Sequence, residues 1–222
     1  MRFLSKKTIL GALCLLALLL LVLAGGLFVY VNSPAFQRQA RQYIIDEIEK
    51  RTGAQVSLKT FEWAFWNQRF RLEDLTLHGL EPPEENPLAH FDRIDIGLNF
   101  RTLLEKKIDL FELTVTRPAV NVIVDSDGHT NIPSPPAHAE KPLEFQISIE
   151  NFNVVDGVAI LNDKPVDLEF SLTNLQSMMS YHSAREVLET QFSFDGIFDR
   201  SADLRPSIPY TLSALMDYTR DT

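Results

Sequence analysis

The sequence predicts a mainly β protein, in which an N-terminal transmembrane helix and an amphipathic helix precede a largely antiparallel β-sheet. Three observations predict it. Ile9 to Val31 contains no charged residue. Ile94, Ile96, Leu98 and Phe100 alternate with polar residues, as do Val120, Val122 and Val124. Finally, such alternating runs follow one another with almost no helical periodicity between them. Alternation puts all the apolar side chains of a strand on one face, so the sheet has one greasy face and one wet face, and something must cover the greasy one.

As a helix, the charge-free run would be about 35 Å long at roughly 1.5 Å per residue, enough for a hydrocarbon core of about 30 Å. Arg2, Lys6 and Lys7 precede it and no Lys or Arg follows until Arg38, so the positive-inside rule puts the N-terminus in the cytoplasm and the rest outside. The small residues Ala24, Gly25 and Gly26 offer a signal-peptidase site, but the run exceeds an h-region of about 7–15 residues, which favours an uncleaved anchor. Leu13 before Cys14 departs from the lipoprotein pattern, and the remainder has no cysteine and so no disulfide. The formal charge of −9 becomes −12 once the three leading cations are set aside. So acidic a body disfavours nucleic acid and a broad electrostatic grip on anionic head groups.

Ser33-Pro34 is a helix start and Thr52-Gly53 a stop, which predicts a helix over Pro34–Thr52. Phe36, Ala40, Tyr43, Ile44 and Ile48 form its apolar stripe, interrupted near the end by Glu47 and Arg51, which can pair at i,i+4. The stripe either lies on the outer leaflet or caps the first strands; the cap is favoured because interfacial helices are richer in Lys and Arg. Val56, Leu58, Phe61 and Trp63 follow, with a parity change after Leu58 that predicts a bend or bulge. Phe61, Trp63, Phe65 and Trp66 read as sheet core, with a membrane interface as the other reading. Phe70 and Leu72, then Leu75 and Leu77, repeat the parity change across Glu73-Asp74, a bulge and not a catalytic dyad.

Leu80 to Pro87 is a surface loop. A strand over Phe91–Phe100, a short helical or turn connection at Arg101–Lys107 and a strand over Ile108–Thr116, with a parity change at Phe111, come next. Arg117-Pro118 is expected to break that strand, with Ala119–Val124 resuming as another. The organisation is therefore 1–33 N-terminus and anchor, 34–132 helix and first sheet segment, 133–142 Pro-rich linker, and 143–222 a continuing sheet segment. In the last, Leu143, Phe145, Ile147 and Ile149 alternate, as do Val166, Leu168, Phe170 and Leu172; Ser177 to Arg185 is ambiguous, with a loop one reading, and Glu186–Ile197 and Tyr210–Tyr218 read as strands. The chain ends soon after the last strand with no closing element, as an N-terminal portion of something longer would.

No chemistry stands out. His78, His90, His129, His138 and His182 have no metal-ligand spacing. Asp125-Ser-Asp-Gly128 fails as a calcium loop, since Gly128 is fourth and Pro136 twelfth where that loop needs Gly at the sixth position and Glu at the twelfth, and it reads as a hairpin turn. There is no nucleophile elbow or phosphate-binding glycine loop. No metal, no cofactor and no enzymatic activity are expected.

The order of an anchor, a helix ending at Gly53, Val56-Ser-Leu, Phe70-Arg-Leu-Glu-Asp-Leu-Thr-Leu, Phe91-Asp-Arg-Ile-Asp-Ile, Arg117-Pro-Ala-Val-Asn-Val and Asp127-Gly-His-Thr-Asn-Ile resembles the N-terminal region of the AsmA-like family, of AsmA/TamB type. The resemblance runs from the anchor to about Phe198. It implies an inner-membrane-anchored periplasmic protein whose twisted sheet curls into an apolar groove and takes part in phospholipid transport for outer-membrane biogenesis, with no catalytic residues. On that expectation acyl chains cover the greasy face, and Ile94, Ile96, Leu98, Val120, Val122, Ile147, Ile149, Leu168 and Phe170 are the groove candidates; one amphipathic helix is too little lid for so many strands. The alternative is a lipid-free, membrane-tethered β scaffold that docks an envelope protein partner.

Overall fold

A computed structural model describes residues 6–103, 105, 107–135, 146–182, 187–199 and 208–219. The chain forms two compact units, Met1–Ala40 and Arg41–Thr222. Helix α1, Lys6–Val31, contains the charge-free run, and its described apolar side chains are exposed. From Leu18 on, no single helix is long and apolar enough to cross a membrane, whereas the bent pair Leu18–Val31 and Pro34–Thr52 is, by length and composition.

Helix α2 occupies Pro34–Thr52 for the reasons its sequence gives. The Ser33 hydroxyl accepts the Phe36 N–H at 3.2 Å, and Gly53, at φ +76°, ends the helix in the left-handed region. No residue of α2 is buried; Phe36, Ala40, Ile44 and Ile48 of its stripe are half-buried and Tyr43 is 68% exposed. The later turns are tied to the first strand, β1 (Gln55–Ala64): Arg41 Nη1 donates to the Lys59 carbonyl at 3.0 Å, and Glu49 Oε1 accepts the Val56 N–H at 2.9 Å. Among the described residues β1 has one strand neighbour, so these side chains serve backbone groups that an edge strand would otherwise leave to water or to another chain.

The sheet continues with β2 (Arg69–His78), β3 (Ala89–Leu98), β4 (Lys107–Val124), β5 (Gln146–Ile149), β6 (Asn151–Asp163), β7 (Leu168–His182), β8 (Val187–Asp199) and β9 (Ile208–Thr219). A four-residue helix, α3 (Phe100–Leu103), joins β3 to β4. The strand order is β1-β2-β3-β4-β6-β7-β8-β9, with β5 beside β4. β4 pairs in parallel with β5 and β6, and every other pairing is antiparallel. A parallel pair needs a long crossover, and the stretch after Val124, including the Pro-rich residues, supplies it. Pro133 to Pro135 lie in non-repetitive chain; the rest of that linker, and Leu143 and Phe145, lie outside the described residues.

The expected curling into an apolar groove is not found. The order is linear, with β1 and β9 at opposite edges and unpaired to each other, so the sheet is open, neither closed nor rolled. Alternation specifies which face is greasy and carries no information about curvature. Two local expectations are also corrected. Arg117-Pro118 does not break a strand: Arg117 takes a left-handed conformation, φ +47°, and β4 runs through it. Ser177–His182 is strand, the end of β7, where serines mask the alternation; 183–186 lie outside the described residues.

Arg117 is one of a row. Asp74 (φ +59°), Asp156 (+58°) and Asn174 (+50°) share its backbone conformation. Register places them in line: the flanking pairs set Asp74 level with Asp92, Asp92 with Arg117, and Arg117 with Asp156, and Asn174 follows beside the Gly157–Leu175 pair. At this seam the apolar parity of each strand changes: Leu72 to Leu75, Val115 to Pro118, Val154 to Ala159, Leu172 to Leu175. Leu72 and Leu75 are nonetheless both buried, as are Leu58 and Phe61 in β1, so the seam keeps one apolar face continuous through strands that change phase. The parity change at Phe111 has a different origin, an extra residue opposite Gly97/Leu98, with the Phe111 ring lying so close over Gly97 that an added Cβ would sit 2.3 Å from it.

A β-branched residue in the left-handed region is a steric outlier. Asp156 is exposed and sits at such a position, so Asp156→Val should cost about 1–3 kcal/mol of unfolding free energy while Asp156→Gly is neutral or stabilising. Denaturant titration of both variants checks this.

Candidate functional site

The apolar face is built from rows of directly paired residues. Phe70, Ile96, Leu113, Phe152 and Met179 form one row across β2, β3, β4, β6 and β7; Phe61, Leu72, Ile94, Val115 and Val154 form the next. Beyond the seam, Leu77, Ala89, Val120, Ala159 and Leu172 make a third row, and Val122, Leu161, Phe170 and Phe198 a fourth. Leu98 pairs with Leu110, which pairs with Ile149; Ile147 pairs with Ile108; Leu168 stands two residues from Phe170 on the same face. The nine positions named from the sequence therefore all lie on one side of one sheet. Alternation alone missed Leu113, Val115, Phe152, Val154 and Leu161, which pairing inserts between them; the period-two signal at Phe152 and Val154 was present but short.

Burial is uneven across this face. Among the described residues the buried apolar side chains are Ala54, Leu58, Phe61, Leu72, Leu75 and Ala89, all in or next to β1–β3. From β4 onward the apolar residues of these rows are half-buried where their side chains are described, and Ile149 is exposed. A strand residue covered by a second layer would be buried; half-burial is what lateral neighbours alone provide.

The wet side of the seam is a line of charges around a hollow of about 440 Å3 that includes Lys59, Asp74, Asp92 and Arg117. Lys59 lies 3.5 Å from Asp74, His90 lies 3.0 Å from Asp92, and Arg117 pairs with Asp92. Burial works to raise the Asp92 carboxyl, but the hydrogen bond and charge of Arg117, with His90 behind them, hold it below the ordinary carboxylate value. Asp74 and Asp92 thus each face a cation. The Glu73-Asp74 pair belongs to the seam and is not a dyad.

The Asp125–Thr130 turn gathers Asp125, Asp127 and His129 within 4.8 Å of one another. Asp125 Oδ1 is engaged by the Asp127 and His129 N–H groups, at 2.8 and 2.9 Å, and these bonds hold its carboxyl below the usual range. Gly128, at φ +82°, takes the left-handed position of the turn. Hairpin geometry accounts for this group. His138 lies outside the described residues, and His78, His90 and His129 stand at separate places: at the end of β2, on the seam and in this turn.

The model of the AsmA family matches residues 5–208. The chain belongs to the AsmA family. A comparison with curated proteins finds no match. As an AsmA-family chain it is a membrane-associated protein of the cell envelope, from a family whose members are in general non-catalytic scaffolding or transport proteins. The family match spans both the strands before the Pro-rich stretch and most of those after it, consistent with the single sheet they form.

The Asp92 carboxyl is lowered in the folded chain, so its contribution is complete above the unfolded carboxylate value of about 3.9 and is lost as pH falls through the lower folded value. Asp92→Asn should lower stability by about 0.2–1 kcal/mol at neutral pH, the range of a partly exposed pair, and by less at an acidic pH below the unfolded value. Thermal melts of both proteins at the two pH values measure it.

Proposed function

We propose that this AsmA-family chain is held in the inner membrane by its N-terminal helix, with the N-terminus cytoplasmic and the sheet in the periplasm, and that the open apolar face accepts phospholipid acyl chains during lipid transport for outer-membrane biogenesis. The observation that carries this reading is the run of paired apolar rows over β4, β6 and β7 left half-buried among the described residues. Arg2, Lys6 and Lys7 before the charge-free run support the orientation.

The energetics fit a surface that guides lipid without trapping it. At about 0.8 kcal/mol per methylene, half-covering a chain of about sixteen carbons is worth on the order of 6 kcal/mol. That offsets roughly half the cost of exposing the chain to water, so the face eases passage while release stays accessible. Ile94, Ile96, Leu98, Val120, Val122, Ile147, Ile149, Leu168 and Phe170 are the contact positions under this reading.

Native mass spectrometry of the segment from Asn32 onward should find bound phospholipid. Val122→Asp should reduce it by roughly tenfold or more, because a carboxylate on the face must be desolvated under the acyl chain, while circular dichroism shows an intact sheet. A folded, lipid-free wild-type segment would instead favour a tethered scaffold for an envelope protein, and unfolding of the variant would indicate a closed core.

A further inference from the structure

One end of the sheet carries a feature that the acyl-chain reading does not use. The turn from β1 to β2 is a short 3₁₀ segment, Phe65–Asn67. Trp66 at its tip is 76% exposed, and Phe65 and nearby Leu103 of α3 are 36% and 39% exposed. Single exposed apolar residues are ordinary, but here two adjoin, and the third belongs to the helix whose Phe100 ring packs on Phe65. The Phe65 ring lies 5.7 Å from Phe100 and 5.6 Å from Trp66, and Trp63 lies 5.0 Å from Phe70. Two hydrogen bonds tie the two turns together: the Leu98 N–H donates to the Gln68 carbonyl at 2.9 Å, and the Phe100 N–H to the Gln68 side-chain Oε1 at 3.3 Å.

The charges around this tip differ from those of the chain as a whole, whose net charge is −9. Arg69 pairs with Glu112 and Lys107 with Glu105, while Arg101 adds an exposed cation beside the tip. A surface so balanced is not repelled by anionic head groups. The direction of α2 supplies a second argument. Arg41 bonds opposite Lys59 and Glu49 opposite Val56, so α2 runs antiparallel to β1 and Arg41, the first residue of this unit, lies nearer the aromatic turn than Glu49 does. An indole with an apolar body and one N–H donor is the side chain enriched at the head-group level of bilayers.

We propose that the Phe65-Trp66 turn, with Leu103 beside it, inserts into the interfacial layer of a phospholipid bilayer and so stands the sheet end-on to the membrane. The insertion is independent of whether lipid occupies the sheet face. It fixes the orientation of the strands, which a single tether leaves free.

The test uses the full chain in nanodiscs of phosphatidylcholine and phosphatidylglycerol, with or without bromine on the acyl chains, and reads tryptophan emission. Bromolipid should quench the wild type, and the part of the quenching owed to residue 66, an indole at the interface, should vanish in Trp66→Phe. Trp63→Phe, which leaves Trp66 as the only indole, should retain it. Quenching that persists in Trp66→Phe reports Trp63 and hence lipid on the sheet face. Equal quenching of wild type and Trp66→Phe, or none in either, would overturn the insertion whatever the sheet face binds.

Discussion

The apolar side chains of this sheet must all reach the same side, and strands of up to eighteen residues achieve this only by changing phase together. A left-handed residue on one strand alone would throw half of its side chains onto the wrong face. Placed at one level on β2, β4, β6 and β7, such residues keep neighbouring strands in step, and the pairs on either side of the seam remain apolar against apolar. The cost is backbone strain at Asp74, Arg117, Asp156 and Asn174, of order 1–3 kcal/mol for each non-glycine residue. What offsets it is local. Arg117 pairs with Asp92, Lys59 with Asp74, and Asn174 Nδ2 donates to Asp195 at 2.7 Å. The wet face of the seam is thus charged because the seam needs side chains that tolerate the geometry and hold their neighbours.

The sequence made some of this legible. Ser33 and Gly53 marked α2 to the residue, since caps are local chemistry. The phase changes at Leu58/Phe61, Leu72/Leu75 and Phe111 were visible as broken alternation, and the candidate residues from Ile94 to Phe170 were assigned to one face for the same reason. Three things were hidden. Arginine has no preference for positive φ, so Arg117-Pro118 read as a strand end. Alternation is blind to strand direction, so the parallel pairing of β4 with β6 could be inferred only from the length of the crossover. Curvature depends on how strands twist and coil over many residues, and the expected groove was a consequence of family resemblance that the open strand order corrects.

An open face alters the physical picture of the proposed activity. A closed groove would hold lipid by enclosure, whereas an open sheet leaves one side of each acyl chain to another partner, whether a second chain, a neighbouring lipid or the bilayer itself. The burial gradient is consistent with this division. Among the described residues the strands next to α2 bury their apolar side chains and those from β4 onward do not, so the first strands anchor the fold and the later ones offer surface. The same gradient separates the rigid aromatic turn, packed at the β1–β2 end, from the half-covered rows beyond it.

The central claim is that the apolar face is continuous across the seam and open. Nitroxide labels placed one at a time along Leu113–Val122 in a Cys14→Ser background, with the full chain in nanodiscs, read it directly through accessibility to oxygen and to a water-soluble nickel chelate. The account predicts that positions 113 and 115 and then 118, 120 and 122 favour oxygen, with Thr116 and Arg117 both water-accessible as the phase changes. An unbroken period of two through Arg117, or equal protection from both reagents at 120 and 122, would contradict it.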